Sequence, residues 1–499
     1  MTEKHTYLIR FGGELCIKSN RTRNFFRRRL VKNVQSALAG TGRPFKLNSR
    51  WSRLLVESDA PDLSRLLRRV FGIQSVSSVE RRPWSDMADL LAHGEEIFRR
   101  RVTGRTFAVR ARRTGDPRRI PFGSDVLERE LGTLLRPYAD GVDLKRPDVV
   151  ARIEVHPDGA AYFFTDTVPA YGGLPVGVEG RAISLVSGGF DSAVASWQML
   201  KRGVALDYVF FNLGGTAHLQ GVLRVLQIVA RDWSYGTRPL LAAIDFRPIV
   251  DEIQAKVERS LWQIVLKRQM ARAGSILSAR YGNRPLVTGE AIGQVSSQTL
   301  PNLNVIDRAS TATILRPLVT SNKDEIVAQA RAIGTFELSA AVDEYCAILP
   351  RKPATHTRLS HVLKEESRLD DSLLAELVEA RAIYHLSRLE AEDLAAPHLE
   401  TTAVEPEATV IDLRTRADYE RWHYPGALHL EFGQALDGYR SFDTGQRYVL
   451  YCEVGLKSAR LAEMMQEIDL DARHVPGGLP KVARLAAERP QGAPTPATG

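Results

Sequence analysis

Ser187-Gly188-Gly189-Phe190-Asp191-Ser192 decides the reading of this chain. The stretch follows an apolar run, 182–186, and opens a helix-patterned segment, 192–203. Paired glycines let backbone N–H groups of Ser187, Gly188, Gly189 and Ser192 approach phosphate oxygens, and a helix N-terminus adds the positive end of its dipole. No Gly-Lys-Ser/Thr follows, so this is not a Walker A loop. On either side the pattern is regular. Apolar runs recur at 183–186, 207–213, 239–246, 285–288 and 313–318, each followed by a helical pattern. That alternation predicts a doubly wound parallel sheet with helices on both faces. Ligands of such sheets bind at the carboxyl ends of the strands, where the glycine loop lies.

Four further elements of this middle region are candidates for the same site. Phe210-Phe211-Asn212-Leu213-Gly214-Gly215 ends the second strand in an apolar wall against which a base could stack. Lys267 lies on a mostly apolar helix; it could snorkel or reach phosphate. The segment 288–300, with Gly289 and Gln298, leaves a strand end and is dense in small polar residues, as functional loops are. Lys323 stands at a helix start, where a cation opposes the dipole, and this hints at an anionic partner nearby.

The N-terminal third is different. Residues 1–180 carry 32 Lys and Arg against 21 Asp and Glu, whereas the remainder of the 499-residue chain carries 36 against 38. All excess positive charge therefore precedes the glycine loop, which suggests a polyanion-binding end on an otherwise neutral protein. The pattern there is α+β: strands at 6–11, 51–57, 106–111 and 151–155, an arginine-rich helix at 20–38, an amphipathic segment at 62–71, and a helix at 124–138 with Ser124 as its N-cap. No run of about 18 apolar residues and no signal-like N-terminus occurs, so a cytoplasmic protein with no membrane partner is expected. Three cysteines, Cys16, Cys346 and Cys452, are too few and too scattered for a disulfide framework or a resident metal site.

Residues 355–396 read as helical and charged. The stretch 390–407, rich in Glu, Ala, Pro and Thr, reads as a linker. A small α/β unit follows, and the tail from 486 reads as disordered. In that unit a short strand, 448–451, ends at Cys452-Glu453-Val454-Gly455-Leu456-Lys457-Ser458, a compact loop before a helix at 459–468. Loop amides and a helix N-terminus there would stabilise a thiolate. By itself Cys346 is a buried core thiol.

Taken together, the glycine loop is similar to the PP-loop (SGGxDS) of ATP pyrophosphatases. The Cys452 loop, with Asp412-Leu413-Arg414, His423-Tyr424-Pro425-Gly426-Ala427 and Pro476-Gly477-Gly478 around it, resembles a rhodanese domain. With Gly13-Glu14-Leu15, Lys18 and Arg21, Phe71-Gly72-Ile73, and 106–113 with Glu130-Leu131-Gly132, the whole chain resembles the tRNA 4-thiouridine synthetase family, in its long form. The resemblance implies a multi-domain α/β protein. Its parts would be an N-terminal ferredoxin-like domain (1–60), a THUMP RNA-binding domain (61–168), a PP-loop ATP pyrophosphatase domain (175–396), a linker (397–407), a rhodanese domain (408–485) and the tail (486–499).

It further implies ATP contacts from Leu185, Val186, Phe210, Phe211, Lys267, Gly289 and Gln298, with Asp191 supporting adenylation through a transient Mg²⁺ and Lys323 assisting. Lys18, Arg21, Arg110, Arg112 and Arg113 would meet tRNA. Cys452 would carry persulfide sulfur from a cysteine desulfurase, and Cys346 would resolve it. Sulfur supply to a carrier protein of thiamine synthesis and a homodimer are compatible with the same family. Two rivals stay open on sequence: an adenylating enzyme acting on a small molecule, against which the basic N-terminal third argues, and a sulfur-relay protein with a dead nucleotide site, against which the intact 187–192 loop argues. A methyltransferase bearing a THUMP domain lacks support, because no glycine-rich methyl-donor motif is present.

Overall fold

The computed structural model describes residues 4–49, 53–342, 353–390 and 392–488. Two compact units result: residues 1–178 with 201–203, and 179–200 with 204–499.

The first unit is built on a sheet whose strands run in the order Phe45–Ser49, Arg53–Ser58, His5–Phe11, Ile73–Pro83, Ala160–Phe164, Val149–His156, Thr106–Arg113 and Gly141–Val142. The 11-residue strand Ile73–Pro83 joins its halves, pairing with His5–Phe11 along one part and with Ala160–Phe164 along the other. Helix Asn20–Ala39 covers the first half through Phe26, Leu30, Val34, Ala37 and Leu38. Their spacing of three or four places them on one stripe, which leaves Arg21 and Arg28 on the exposed side. Ser19 caps this helix by accepting the Thr22 N–H. On the second half, helices Met87–Val102 and Ser124–Leu135 pack closely, because Gly94 offers no side chain where Leu131 sits. Ser124 is the first helical residue and Gly123 the cap, against the expectation from sequence: the Gly123 backbone is already extended, and the Ser124 hydroxyl makes no cap bond. The amphipathic segment 62–71 yields only a short helix, Ser64–Leu67.

The second unit carries the parallel sheet. Its strand order is Ile314–Leu315, Leu286–Val287, Arg181–Val186, Ala205–Asn212, Leu240–Asp245 and Ala382–His385, the last antiparallel. The chain winds outward from Arg181–Val186 in one direction, then returns to build Leu286–Val287 on its other side. The switch point therefore falls at the end of Arg181–Val186, where the glycine loop begins. The antiparallel edge at Ala382–His385 lies in a region read from sequence as helical. Its four residues are too few to show a period, and pairing with Leu240–Asp245 overrides their local preference.

A second, four-stranded parallel sheet follows, in the order Leu428–His429, Thr409–Asp412, Arg447–Tyr451 and Asp471–His474. The segment expected to be a free linker is instead packed. It contains a turn at Glu392–Leu394, and Ala396 and Leu399 are buried with Ala217 and Ala459. Small apolar residues can bury without any periodic signature, which is why the composition misled. Helix Leu479–Ala487 runs two residues into the expected tail; residues 489–499 lie outside the described residues. No helix among the described residues is long and apolar enough to cross a membrane.

Candidate active site

The loop Ser187–Gly189 joins strand Arg181–Val186 to helix Phe190–Lys201. Gly188 has φ of 84°, and a Cβ there would lie 2.9 Å from Val342 and 3.0 Å from Val222. Only glycine suits both the left-handed backbone and the space. Ser192 ties the loop by donating its hydroxyl to Gly189 O at 3.1 Å. Above it opens a cavity of about 470 Å³. Of the residues expected to meet ATP, Leu185, Val186, Ser187, Asp191, Ser192, Phe210, Phe211, Lys267, Gly289 and Gln298 all line it; Gly188 and Gly189 do not. The two phenylalanine rings are already engaged. Phe210 lies edge-on to His218 with centroids 4.7 Å apart, and Phe211 packs on Phe246 at 4.8 Å.

Charge in the cavity is arranged in two groups. Asp191 receives Lys323 Nζ at 3.2 Å and the Gln294 amide at 3.0 Å. The cation that opposes its own helix dipole thus has the anionic partner its position called for. Glu290 accepts from Lys267 at 3.0 Å and from Arg316 at 2.9 Å. Burial alone would raise the Glu290 carboxyl, but the two cations beside it hold it below its ordinary value. Lys267 is therefore neither a snorkelling lysine nor free. His218, whose Nε2 lies 3.3 Å from Ser187 O, is pushed by burial down to about 3 and stays neutral. Glu290, Gln294, Arg316 and His218 were not singled out from sequence. Glu290 and Gln294 sit inside the polar loop 288–300, but nothing local marks them above their neighbours.

Gly289 touches the loop itself: a Cβ there would stand 2.6 Å from the Asp191 carbonyl carbon and 2.8 Å from Ser192 N. Gly289→Ala must displace that peptide, and we expect nucleotide affinity to fall at least about tenfold, as a misplaced helix start would cost about 1.4 kcal/mol or more. Equilibrium titration with ATP checks this; unchanged affinity would contradict the loop geometry.

The sulfur-chemistry candidates are placed as follows. The Cys452 thiol sits inside its loop, 1% exposed, accepting the Gly455 N–H at 3.2 Å with Ser458 Oγ at 3.6 Å. Helix Leu456–Gln466 begins immediately beyond. Gly478 lies so close that a Cβ would meet Cys452 O and Glu453 O at 2.4 Å. Asp412, Arg414 and Tyr451 form a buried hydrogen-bonded set behind the strand ends. The His423 ring stacks on Tyr419 at 4.0 Å. Cys346 lies outside the described residues. In the first unit Arg21 and Arg112 are exposed, Lys18 stands over the Phe26 ring, and Arg110 and Arg113 donate to the carbonyls of Leu144 and Ile120.

Comparison with known proteins fits this layout. The Thiamine biosynthesis protein (ThiI) family matches residues 177–370, the ThiI ferredoxin-like domain 6–77, the THUMP domain 85–166 and the rhodanese-like domain 391–485. A tRNA sulfurtransferase of Sodalis glossinidius is 35% identical, over 92% of this chain and 97% of the relative. The chain belongs to the tRNA sulfurtransferase family. A second member, from Pyrobaculum aerophilum, is 34% identical over 92% of this chain and 94% of the relative. Among solved structures, a 4-thiouridine synthetase–RNA complex with bound ATP superposes with a TM-score of 0.68 at 31% identity, covering 77% of this chain and 99% of the other. Within a tRNA sulfurtransferase the expected architecture of ferredoxin-like, THUMP, PP-loop and rhodanese-like parts holds.

Proposed function

We propose that this chain converts a uridine of tRNA to 4-thiouridine at the expense of ATP. The observation that carries the reading is one cavity, at the switch point of the parallel sheet, lined by Ser187, Asp191 and Ser192 of the glycine loop, with Lys323 bonded to Asp191, in a chain that also holds a cradled thiol at Cys452. ATP fits the residues present: backbone N–H groups and a helix N-terminus for phosphates, and an apolar wall for the base. Asp191 is the carboxylate that would hold Mg²⁺ arriving with the nucleotide, which neutralises phosphate charge. Lys323, 3.2 Å from Asp191, adds a second positive group where charge develops during adenylation.

Uridine O4 attacks the α-phosphorus and pyrophosphate leaves. Adenylation is needed because an amide-like oxygen is a poor leaving group, whereas AMP departs readily. Cys452, loaded by a cysteine desulfurase, presents its terminal sulfur to C4 and AMP is expelled. Cys346 thiolate then attacks the Cys452 sulfur of the mixed adduct, releasing thiouridine and leaving a Cys346–Cys452 disulfide. That disulfide holds the two electrons' worth of oxidation, and a dithiol reductant must remove it. Support for the pairing comes from packing. Val342, four residues before Cys346, shares one apolar cluster with Leu456, four residues after Cys452. Four residues of extended chain reach about 14 Å at most.

Purified chain incubated with ATP, tRNA, desulfurase, cysteine and reductant should accumulate thiolated uridine, read by nucleoside chromatography; none formed would reject the reading. The basic N-terminal region is the proposed tRNA surface. With roughly six to ten phosphate contacts, affinity should fall about 10³–10⁵-fold between about 50 and 200 mM salt, and replacing Arg21 and Arg112 by glutamine should reduce the salt slope by about one per lost contact. A salt-independent affinity would move the RNA site elsewhere. Sulfur supply for the thiamine thiazole is a second proposed output, testable by thiamine-free growth of a deletion strain.

A further inference from the structure

The rhodanese-like region is seated on helix Gly215–Trp233 of the ATP-binding region. The Glu463 carboxylate accepts the N–H groups of Thr216 and Ala217 at 2.7 and 3.0 Å, so it caps that helix from across the interface. Gln220 donates its amide to Leu394 O at 3.0 Å. Val454 and Leu456, within the Cys452 loop, pack among Ala193, Val225, Leu338 and Val342. The apolar side chains of the sulfur loop thus face the helix.

Arg224 lies on the same helix. Among the described residues its guanidinium makes one hydrogen bond, from Nη1 to Val454 O at 3.5 Å, and no ion pair. Among those residues most of its donors meet no partner, and a half-buried cation without a close counter-ion is costly. The charges near it are few. Burial works against its charged form, which Glu400 and, to a smaller degree, Cys452 favour; Glu400 also accepts the Ala396 N–H at 3.2 Å. His474, fully buried beside it, is pushed down to about 3 by burial and then by Arg224, and is neutral. On the loop itself, Lys457 stands over the Phe432 ring, and Glu453 is exposed.

Resting on the sulfur-carrier reading of Cys452, we propose that Arg224 is a positioning residue for the sulfur anion on Cys452, so that the sulfur site is complete only while the rhodanese-like region is seated on helix Gly215–Trp233. A persulfide is a stronger acid than a thiol, so the loaded cysteine offers an anion of the kind that Arg224 lacks among the described residues. Loading then favours the seated arrangement, and the thiol restored by reduction of the disulfide favours release.

The full chain tests this with three variants. Arg224→Met should still accept sulfur on Cys452 and keep its KM for ATP and tRNA, while kcat for thiouridine formation falls about 10–100-fold, the value of a charged hydrogen bond. Arg224→Lys should recover kcat to within about threefold of wild type, because the role is one of charge. Glu463→Arg sets a cation against the helix N-terminus and should unseat the region; with Arg224 intact it should lower kcat to a similar degree. Wild-type kcat in Arg224→Met, no recovery by lysine, or wild-type kcat in Glu463→Arg would each overturn the proposal. Should Arg224→Met fail to bind ATP, Glu463→Arg decides alone. Failure of the carrier reading looks different: wild type itself would then take up no sulfur on Cys452.

Discussion

Asp191→Asn should lower thiouridine formation by about 10²–10³-fold while leaving tRNA affinity within about twofold of wild type. The substitution keeps the shape of the side chain and removes its charge. In the structure that charge is held between Lys323 Nζ at 3.2 Å and the Gln294 amide at 3.0 Å, on the first turn of the helix that follows the glycine loop. Without it, the Lys323 ammonium loses its anchor, and the metal–nucleotide complex proposed to bind there would lose its carboxylate. Both groups act where charge builds on the phosphates, so the loss falls on the chemical step at the magnitude of a missing oxyanion contact. No basic residue of the first 180 is altered, so the electrostatic term of RNA binding is kept. Initial rates and filter-binding affinities, measured on the same preparation, test both halves. A variant as fast as wild type would remove Asp191 from the site, and a large fall in tRNA affinity would mean the RNA reaches further than proposed.

The second large effect concerns sulfur. Cys452→Ala should take up no sulfur from a desulfurase and form no thiouridine, since it deletes the only thiol cradled by the Gly455 N–H and a helix start among the described residues. Cys346→Ala should behave differently: it should load Cys452 normally, yet fail to turn over, because nothing then cleaves the sulfur bond to the adduct. Mass spectrometry of the loaded proteins separates the two. A Cys452→Ala protein that loads sulfur elsewhere and still thiolates tRNA would reject the carrier assignment.

What could be read from sequence was local. The glycine loop announces itself because its geometry depends on six adjacent residues, and the parallel sheet because apolar runs alternate with helical periods. Lys323 was informative for an electrostatic reason: a cation at a helix start needs an anion, and Asp191 supplies it. What escaped was through-space. Glu290 and Arg316 meet because strands Leu286–Val287 and Ile314–Leu315 are paired neighbours, a fact no window of sequence contains. The 390–407 segment read as free chain because alanines bury without a period, yet Ala396 and Leu399 are among its anchors. The Cys452 loop already faces the ATP-binding half through Val454 and Leu456.

The decisive measurement is a single-turnover reaction. Chain loaded with persulfide on Cys452 is mixed with ATP and tRNA in the absence of reductant, and thiouridine, AMP and cysteine-containing peptides are counted together. The account predicts about one thiouridine and one AMP per loaded chain, then arrest, with a peptide joining Cys346 to Cys452. AMP release without thiouridine, or repeated turnover with no Cys346–Cys452 peptide, would contradict it.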